Sequence, residues 1–221
     1  MAVLNTGLAK TSATGYTIDY SCRFDGSSSK LERTPAGASN KKTWTWSGWV
    51  KRAKIGSDQH ILNTYTGTGS VNTSFFFEND ALNFYDYEGG GGPGYQFHLT
   101  TSRVFRDTSS WYHIMCVLDT AESVEGDRAM VYINGTRETS FSSEDYPSLN
   151  FDDGHINDAV EHVIGTHNGD LDLDGYLAEV HFIDGAALTP SSFGETGDYG
   201  EWKPKEYDTA DGAYGTNGYY L

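Results

Sequence analysis

Residues Asp174–Glu195 read DGYLAEVHFIDGAALTPSSFGE, and the fold turns on how this stretch is parsed. Its first half alternates with a period of two. Tyr176, Ala178, Val180 and Phe182 fall on one face, and Leu177, Glu179, His181 and Ile183 on the other. The pattern predicts a half-buried strand with Tyr176, Val180 and Phe182 in a core. Asp184-Gly185 supplies the turn chemistry that ends it. Farther on, Thr189 is placed to cap one helical turn, Pro190 suits its first position, and Gly194 lets the chain leave. This is the pattern of a closing strand followed by a short plug.

Working outward, Thr43–Arg52 (TWTWSGWVKR) points Trp44, Trp46, Gly48 and Val50 one way and Thr43, Thr45, Ser47, Trp49 and Lys51 the other. Indoles alternating with threonines inside a strand read as core rather than as a sugar-stacking platform. Trp49, on the opposite face, reads as a partial surface feature. Trp111–Asp119 is almost continuously apolar, so it is covered on both faces. Asp127–Ile133 follows as a strand, and Asn134-Gly135 is a strong hairpin signal. Asn134-Gly135-Thr136 also scans as a glycosylation sequon, but the turn role accounts for it.

His60–Tyr65, Thr73–Glu78 and Ala81–Tyr87 make a meander with a turn at Asn79-Asp80. Tyr20–Phe24 opens the fold, Lys30–Arg33 returns, and His162–Gly165 is a short strand beyond an acidic loop over Phe141–Glu161. The expected architecture is all-β, a two-sheet antiparallel sandwich with under about 10% helix. Its expected core includes Trp44, Trp46, Trp111, Val131, Tyr176, Val180 and Phe182. Residues 1–16 and 204–221 lack a period that builds core and read as arms flanking a body over 17–203.

The 221 residues suffice for one such domain. A net charge of −16 argues against a nucleic-acid partner, because phosphates would be repelled. No run of 18 apolar residues is present to span a membrane, and the start lacks the pattern of a secretion signal. Cys22 and Cys116 both fall in strands and read as unbridged, buried thiols without metal-site spacing.

Trp111-Tyr112-His113-Ile114, then an apolar run, then Val131-Tyr132-Ile133-Asn134-Gly135 resembles the hallmark of laminin-G-like, concanavalin A-like jelly rolls. Gly175-Tyr176-Leu177-Ala178-Glu179-Val180 resembles their closing motif, with Ala178 where the family has Asp. The wording Ala178–Gly185 with Leu188–Glu195 is similar to a sub-group in virion proteins of tailed bacteriophages. The resemblance implies a jelly roll displayed on a virion surface, with other virion proteins and copies of itself as partners. It also implies a test for catalysis, since relatives include endo-glucanases with paired carboxylates on one strand. Here that strand offers Glu179, His181 and Ile183, and one carboxylate cannot do both jobs, so no enzyme activity is expected.

Two binding features remain. Tyr85, Tyr87, Tyr95 and Phe97 flank the loop Glu88–Gly94, and Tyr87 and Tyr95 are the candidate carbohydrate-binding residues. Asp170, Asp172 and Asp174 alternate like the start of a calcium loop, but the twelfth position is His181, which excludes an EF-hand. A looser Ca²⁺ site through Asp170 or Asp172, with Asp152 or Asp153, stays open beside a merely solvated turn. Two functions follow: a structural virion protein (capsid decoration or fibre) docking through its arms, which is favoured, or a lectin-like module for host glycan.

Overall fold

The computed structural model describes residues 15–66, 71–89, 94–167 and 171–221. Among these, the first half of the chain forms β1 (Cys22–Asp25), β2 (Leu31–Arg33), β3 (Thr43–Arg52), β4 (Gln59–Tyr65), β5 (Val71–Glu78), β6 (Ala81–Glu88) and β7 (Gly94–Val104). The second half forms β8 (Tyr112–Asp119), β9 (Ala129–Ile133), β10 (Thr136–Arg137), β11 (Phe141–Asp145), β12 (Glu161–Ile164) and β13 (Asp174–Asp184). The last are β14 (Gly194–Thr196), β15 (Trp202–Pro204) and β16 (Tyr219–Tyr220). One sheet runs β1-β13-β3-β8-β9-β10 with β16 also on β13, and the second runs β11-β7-β6-β5-β4-β12-β2. The sequence expectation of an antiparallel two-sheet sandwich holds. Helix among the described residues is confined to two single turns of 3₁₀, Glu125–Asp127 and Pro190–Ser192.

Aromatic rings weld the sheets together. Trp44 and Trp46 are fully buried, as their alternation predicts. Trp44 meets Phe84 of the facing sheet edge-on at 5.6 Å, and Trp46 meets Phe75 at 4.7 Å. The Trp46 indole lies across Gly48, where a Cβ would come within 2.7 Å of the ring, so only glycine fits there. Val131, Val180 and Phe182 also belong to this core.

Tyr176 and Trp111 do not: Trp111 shares the outward parity of Met115 and Val117, opposite core Ile114 and Cys116, and for Tyr176 the cause is one residue. The pairing of β13 with β3 shifts register between Ala178 and His181, and Glu179 sits at φ 48°. An extra residue inverts the alternation. Leu177 therefore faces the core before the bulge, and Val180 and Phe182 face it after. Tyr176 is turned to the outer face, 6.3 Å from Trp111 and 5.1 Å beneath the Arg23 guanidinium. Trp111 packs there against Ile18, Trp49 and Ala178.

The 204–221 stretch, expected to lack core contacts, packs on the sandwich. β16 pairs with His181 and Phe182, and Val180 and Leu221 exchange two backbone hydrogen bonds of 2.9 and 3.0 Å. Tyr207 and Tyr214 join Phe193, Ile183 and Met115 in an outer cluster. Buried Asn217 donates to the Gly37 carbonyl at 3.0 Å and Ser39 Oγ at 2.7 Å. Segments laid across strands take their spacing from the sheet beneath, so their own sequence shows no period. Residues 1–14 lie outside the described residues.

Two smaller expectations change. The Phe141–Glu161 loop contains β11 and then plugs one end of the sandwich with Asp153, His155, Ile156 and Asn157. Cys116 is buried as expected, but Cys22 is exposed; both are free. Arg52 at the end of β3 is fully buried, its Nη1 donating to Asp80 at 2.9 Å and the Phe105 carbonyl at 2.7 Å. No helix among the described residues is long and apolar enough to cross a membrane.

The bulge makes a direct prediction. Leu177→Ala should cost about 2–4 kcal/mol of stability and Trp46→Ala about 3–5, while Tyr176→Ala should cost under about 1. Urea unfolding of the three variants checks the order, and a Tyr176 variant as damaging as Leu177→Ala would refute the assigned faces. Removing residues 215–221 should lower the melting temperature, since it strips half the edge of β13.

Candidate functional site

The outer face of the second sheet carries a band of rings that crosses four strands. His60 of β4 stacks on Phe76 of β5 at 4.4 Å and 10°. Phe76 meets Tyr85 of β6 at 5.7 Å, and Tyr85 meets Tyr95 of β7 at 5.5 Å. Tyr95 stacks on His98 at 4.3 Å and touches Tyr87 at 4.8 Å. At the other end, His167 stacks on His60 at 4.7 Å.

Strand register explains the band. Side chains of alternate residues share a face, and the inward set here is Phe75, Phe77, Leu82, Phe84, Phe97 and Leu99. A register shift between Asp86 and Tyr87 skips Gln96 of β7, sets Tyr87 opposite Tyr95 and turns Tyr95 to the outer side that Tyr87 shares with Tyr85. The two candidate tyrosines of the sequence thus stand together, with Tyr85 beside them. Phe97, the fourth residue flanking the glycine loop, points into the core.

Polar groups lie between the rings. Asn72 Nδ2 donates to Asn63 Oδ1 at 2.6 Å and Tyr85 Oη at 3.0 Å. Thr100 Oγ1 donates to Asn83 Oδ1 at 2.6 Å. Burial depresses the pKa of both His60 and His98, which favours their neutral forms. Burial also pushes the Tyr85 phenol up to about 12. Tyr95 is half exposed, the most open ring of the band. Such a surface can stack on apolar faces and hydrogen-bond hydroxyls, but it has no means of holding an anion.

Sequence reasoning missed His60, Phe76 and His98, because each occurs singly on a different strand. The available signal was their parity: Phe76 falls between inward Phe75 and Phe77, which forces it outward.

The two acidic candidates do not join this end. Asp170 lies outside the described residues. Asp172 is half-buried beside Leu171, whose carbonyl accepts the His60 N–H at 3.0 Å. His60 pairs with Phe76, whereas Tyr87 pairs with Asn72, four residues along β5. That separation is about 13 Å. Among the described residues no group of three His, Cys, Asp or Glu side chains could hold a metal ion.

Asp153 has a different partner. The Thr73 hydroxyl lies 2.7 Å from both Asp153 Oδ1 and Asp86 Oδ2, all fully buried. One hydroxyl has one hydrogen, so the second short contact requires a protonated carboxyl. Burial, then the charge of Asp153, pushes the Asp86 carboxyl up to about 8, and burial likewise raises Asp153. Asp86 sits between Tyr85 and Tyr87 on β6, so this pair anchors the plug loop directly beneath the ring band.

Glu179 is likewise committed. It accepts from Tyr16 Oη at 2.9 Å and Tyr220 Oη at 2.7 Å, with His181 Nε2 at 3.5 Å. No second carboxylate shares its surroundings in these contacts.

With the geometry in view, comparison with known proteins is informative. The model of the concanavalin A-like lectin/glucanases superfamily matches residues 25–192, and the chain belongs to this superfamily. Among solved structures, the native heptameric SAP-like pentraxin of Limulus polyphemus is 18% identical at a TM-score of 0.51, with 76% of each chain covered. The CBM40 of the Ruminococcus gnavus IT-sialidase is 13% identical at 0.51, covering 74% of this chain and 94% of that one. The botulinum neurotoxin serotype D binding domain is 11% identical at 0.50, covering 76% and 40%. At such identities the likeness is one of fold. No curated protein sequence matches the chain.

The carboxyl pair predicts an unusual pH dependence. A carboxyl whose folded pKa is raised holds its proton more tightly in the folded state, so its stabilising contribution is lost as pH rises through that value. Buried histidines with lowered pKa act oppositely, losing stability as pH falls below about 6.5. Stability should therefore fall from about pH 6.5 to 8.5, and Asp86→Asn should flatten that limb. Melting curves across this window check it; an unchanged slope in Asp86→Asn would refute the assignment.

Proposed function

We propose that this chain is a non-catalytic glycan-binding module on the surface of a bacteriophage virion. The observation that carries the binding half is the ring band on the outer face of the second sheet, buried at its His60 end and open at Tyr95. Rings on a rigid sheet present apolar faces with little entropy to lose, and half-buried His98 and Thr100 beside them suit sugar hydroxyls. Carrying neither charge nor metal ligands at Tyr87 and Tyr95, the band favours a neutral glycan. Superfamily membership is consistent with such a role but does not by itself assign it.

The virion half rests on the wording Ala178–Gly185 and Leu188–Glu195, which is similar to virion proteins of tailed phages. Its partners are other virion proteins and copies of itself. Docking through a free C-terminal arm loses its support, because residues 205–221 are engaged with β13 and its outer cluster. Receptor binding is therefore the stronger reading, and head decoration or a fibre role is the setting in which it acts.

A glycan array probed with the full chain should give hits among neutral host-surface glycans. Tyr95→Ala, which removes the most exposed ring, should weaken them by about 1 kcal/mol, or roughly fivefold. A blank array would remove the binding reading. Gold-labelled antibody on intact particles should decorate their surface, and unlabelled particles would remove the virion setting.

A further inference from the structure

We propose a second carbohydrate site, on the opposite sheet: a tryptophan-lined cleft that takes a neutral pyranose. It lies between the Asn134-Gly135 hairpin and the β14–β15 hairpin, a cavity of about 510 Å³ lined chiefly by Trp49, Trp111, Trp202, Asn134, Thr136 and Glu201. These residues come from four separate parts of the chain. Trp49 belongs to the outer side of β3, Trp111 precedes β8, and Trp202 opens β15.

The cleft is held in place. Trp202 Nε1 donates to His113 Nδ1 at 3.1 Å, and Ser47 Oγ holds His113 Nε2 at 2.8 Å. Burial pushes His113 down to about 3, so at neutral pH it is the neutral acceptor that this indole needs. The Trp202 ring lies against Gly135 and Gly194, where a Cβ would come within 2.5 Å of it. Any other residue at either position would displace the indole. Asn134 Oδ1 accepts the His113 N–H at 2.8 Å, which fixes the amide and leaves its Nδ2 as a donor. Glu201 Oε2 accepts the Tyr199 N–H at 3.0 Å.

The lining selects the ligand class. Half-buried Trp111 and Trp202 offer indole surface to polarised C–H groups, above a floor of buried Trp49. An amide, a hydroxyl and a carboxylate offer partners to ligand hydroxyls. Among the described residues no Lys, Arg or His lines the cleft, and Glu201 together with a net charge of −16 opposes a carboxylated sugar. A purely apolar ligand would leave the polar groups unpaired.

Core Trp44 and Trp46 are sealed from solvent, so ligand-dependent fluorescence reports on the cleft. The full chain is titrated with cellobiose and with N,N′-diacetylchitobiose, using 3′-sialyllactose as the acidic control. At least one neutral sugar should shift tryptophan emission saturably at millimolar concentration, and sialyllactose should not. Thr136→Arg and Thr196→Arg, at exposed positions of the cleft, should each weaken that binding roughly tenfold. Tyr95→Ala should leave the emission titration unchanged, which separates this cleft from the ring band of the second sheet. Silence with both neutral sugars, or binding that survives both arginine variants, would overturn the proposal.

Discussion

The left-handed backbone of Glu179 is the constraint on which the closing strand depends. It reverses the parity of β13, sending Leu177 inward and Tyr176 outward. It also interrupts the strand where its two edge partners meet: β1 pairs up to Leu177, and the C-terminal residues take over from Val180. The carboxylate at the bulge gathers two phenols and an imidazole on the outer side. A non-glycine residue at positive φ is held only when its surroundings over-determine it. Here three aromatic neighbours do so.

Rings in this protein divide into three layers with different tasks. The middle layer, with Trp44, Trp46, Phe75 and Phe84, joins the sheets by edge and tilted contacts. The layer outside the first sheet, with Phe193, Tyr207 and Tyr214, fastens the C-terminal segment. Among the described residues, the layer outside the second sheet is buried at His60, where His167 stacks on it, and opens toward Tyr95. Buried polar pairs sit where these layers meet the sandwich ends: Arg52 with Asp80 at one, Asp86 with Asp153 at the other. Both are linked to hairpin or plug segments, so the loops are held by polar anchors as well as by Phe105 and Ile156 in the core.

Most of the sheet framework was legible because strand alternation and turn chemistry are local. Asn79-Asp80 and Asn134-Gly135 adopt the positive φ angles their residue types suggest. Tyr87 and Tyr95 were legible as a pair because both flank one loop. The bulge was not, since AEVHF reads as unbroken alternation and only pairing with β3 reveals the extra residue. The docked C-terminal segment was hidden for a related reason: its aromatics answer to the spacing of β13 and Phe193. Buried Arg52 could not be anticipated either, because its partners come from a hairpin 28 residues away and from Phe105, 53 residues away.

Tyr16 and Tyr220 reach the same carboxylate, so the two ends of the described chain emerge side by side. Tension applied between them would peel β16 from its neighbour one hydrogen bond at a time, before it loaded the sandwich as a whole.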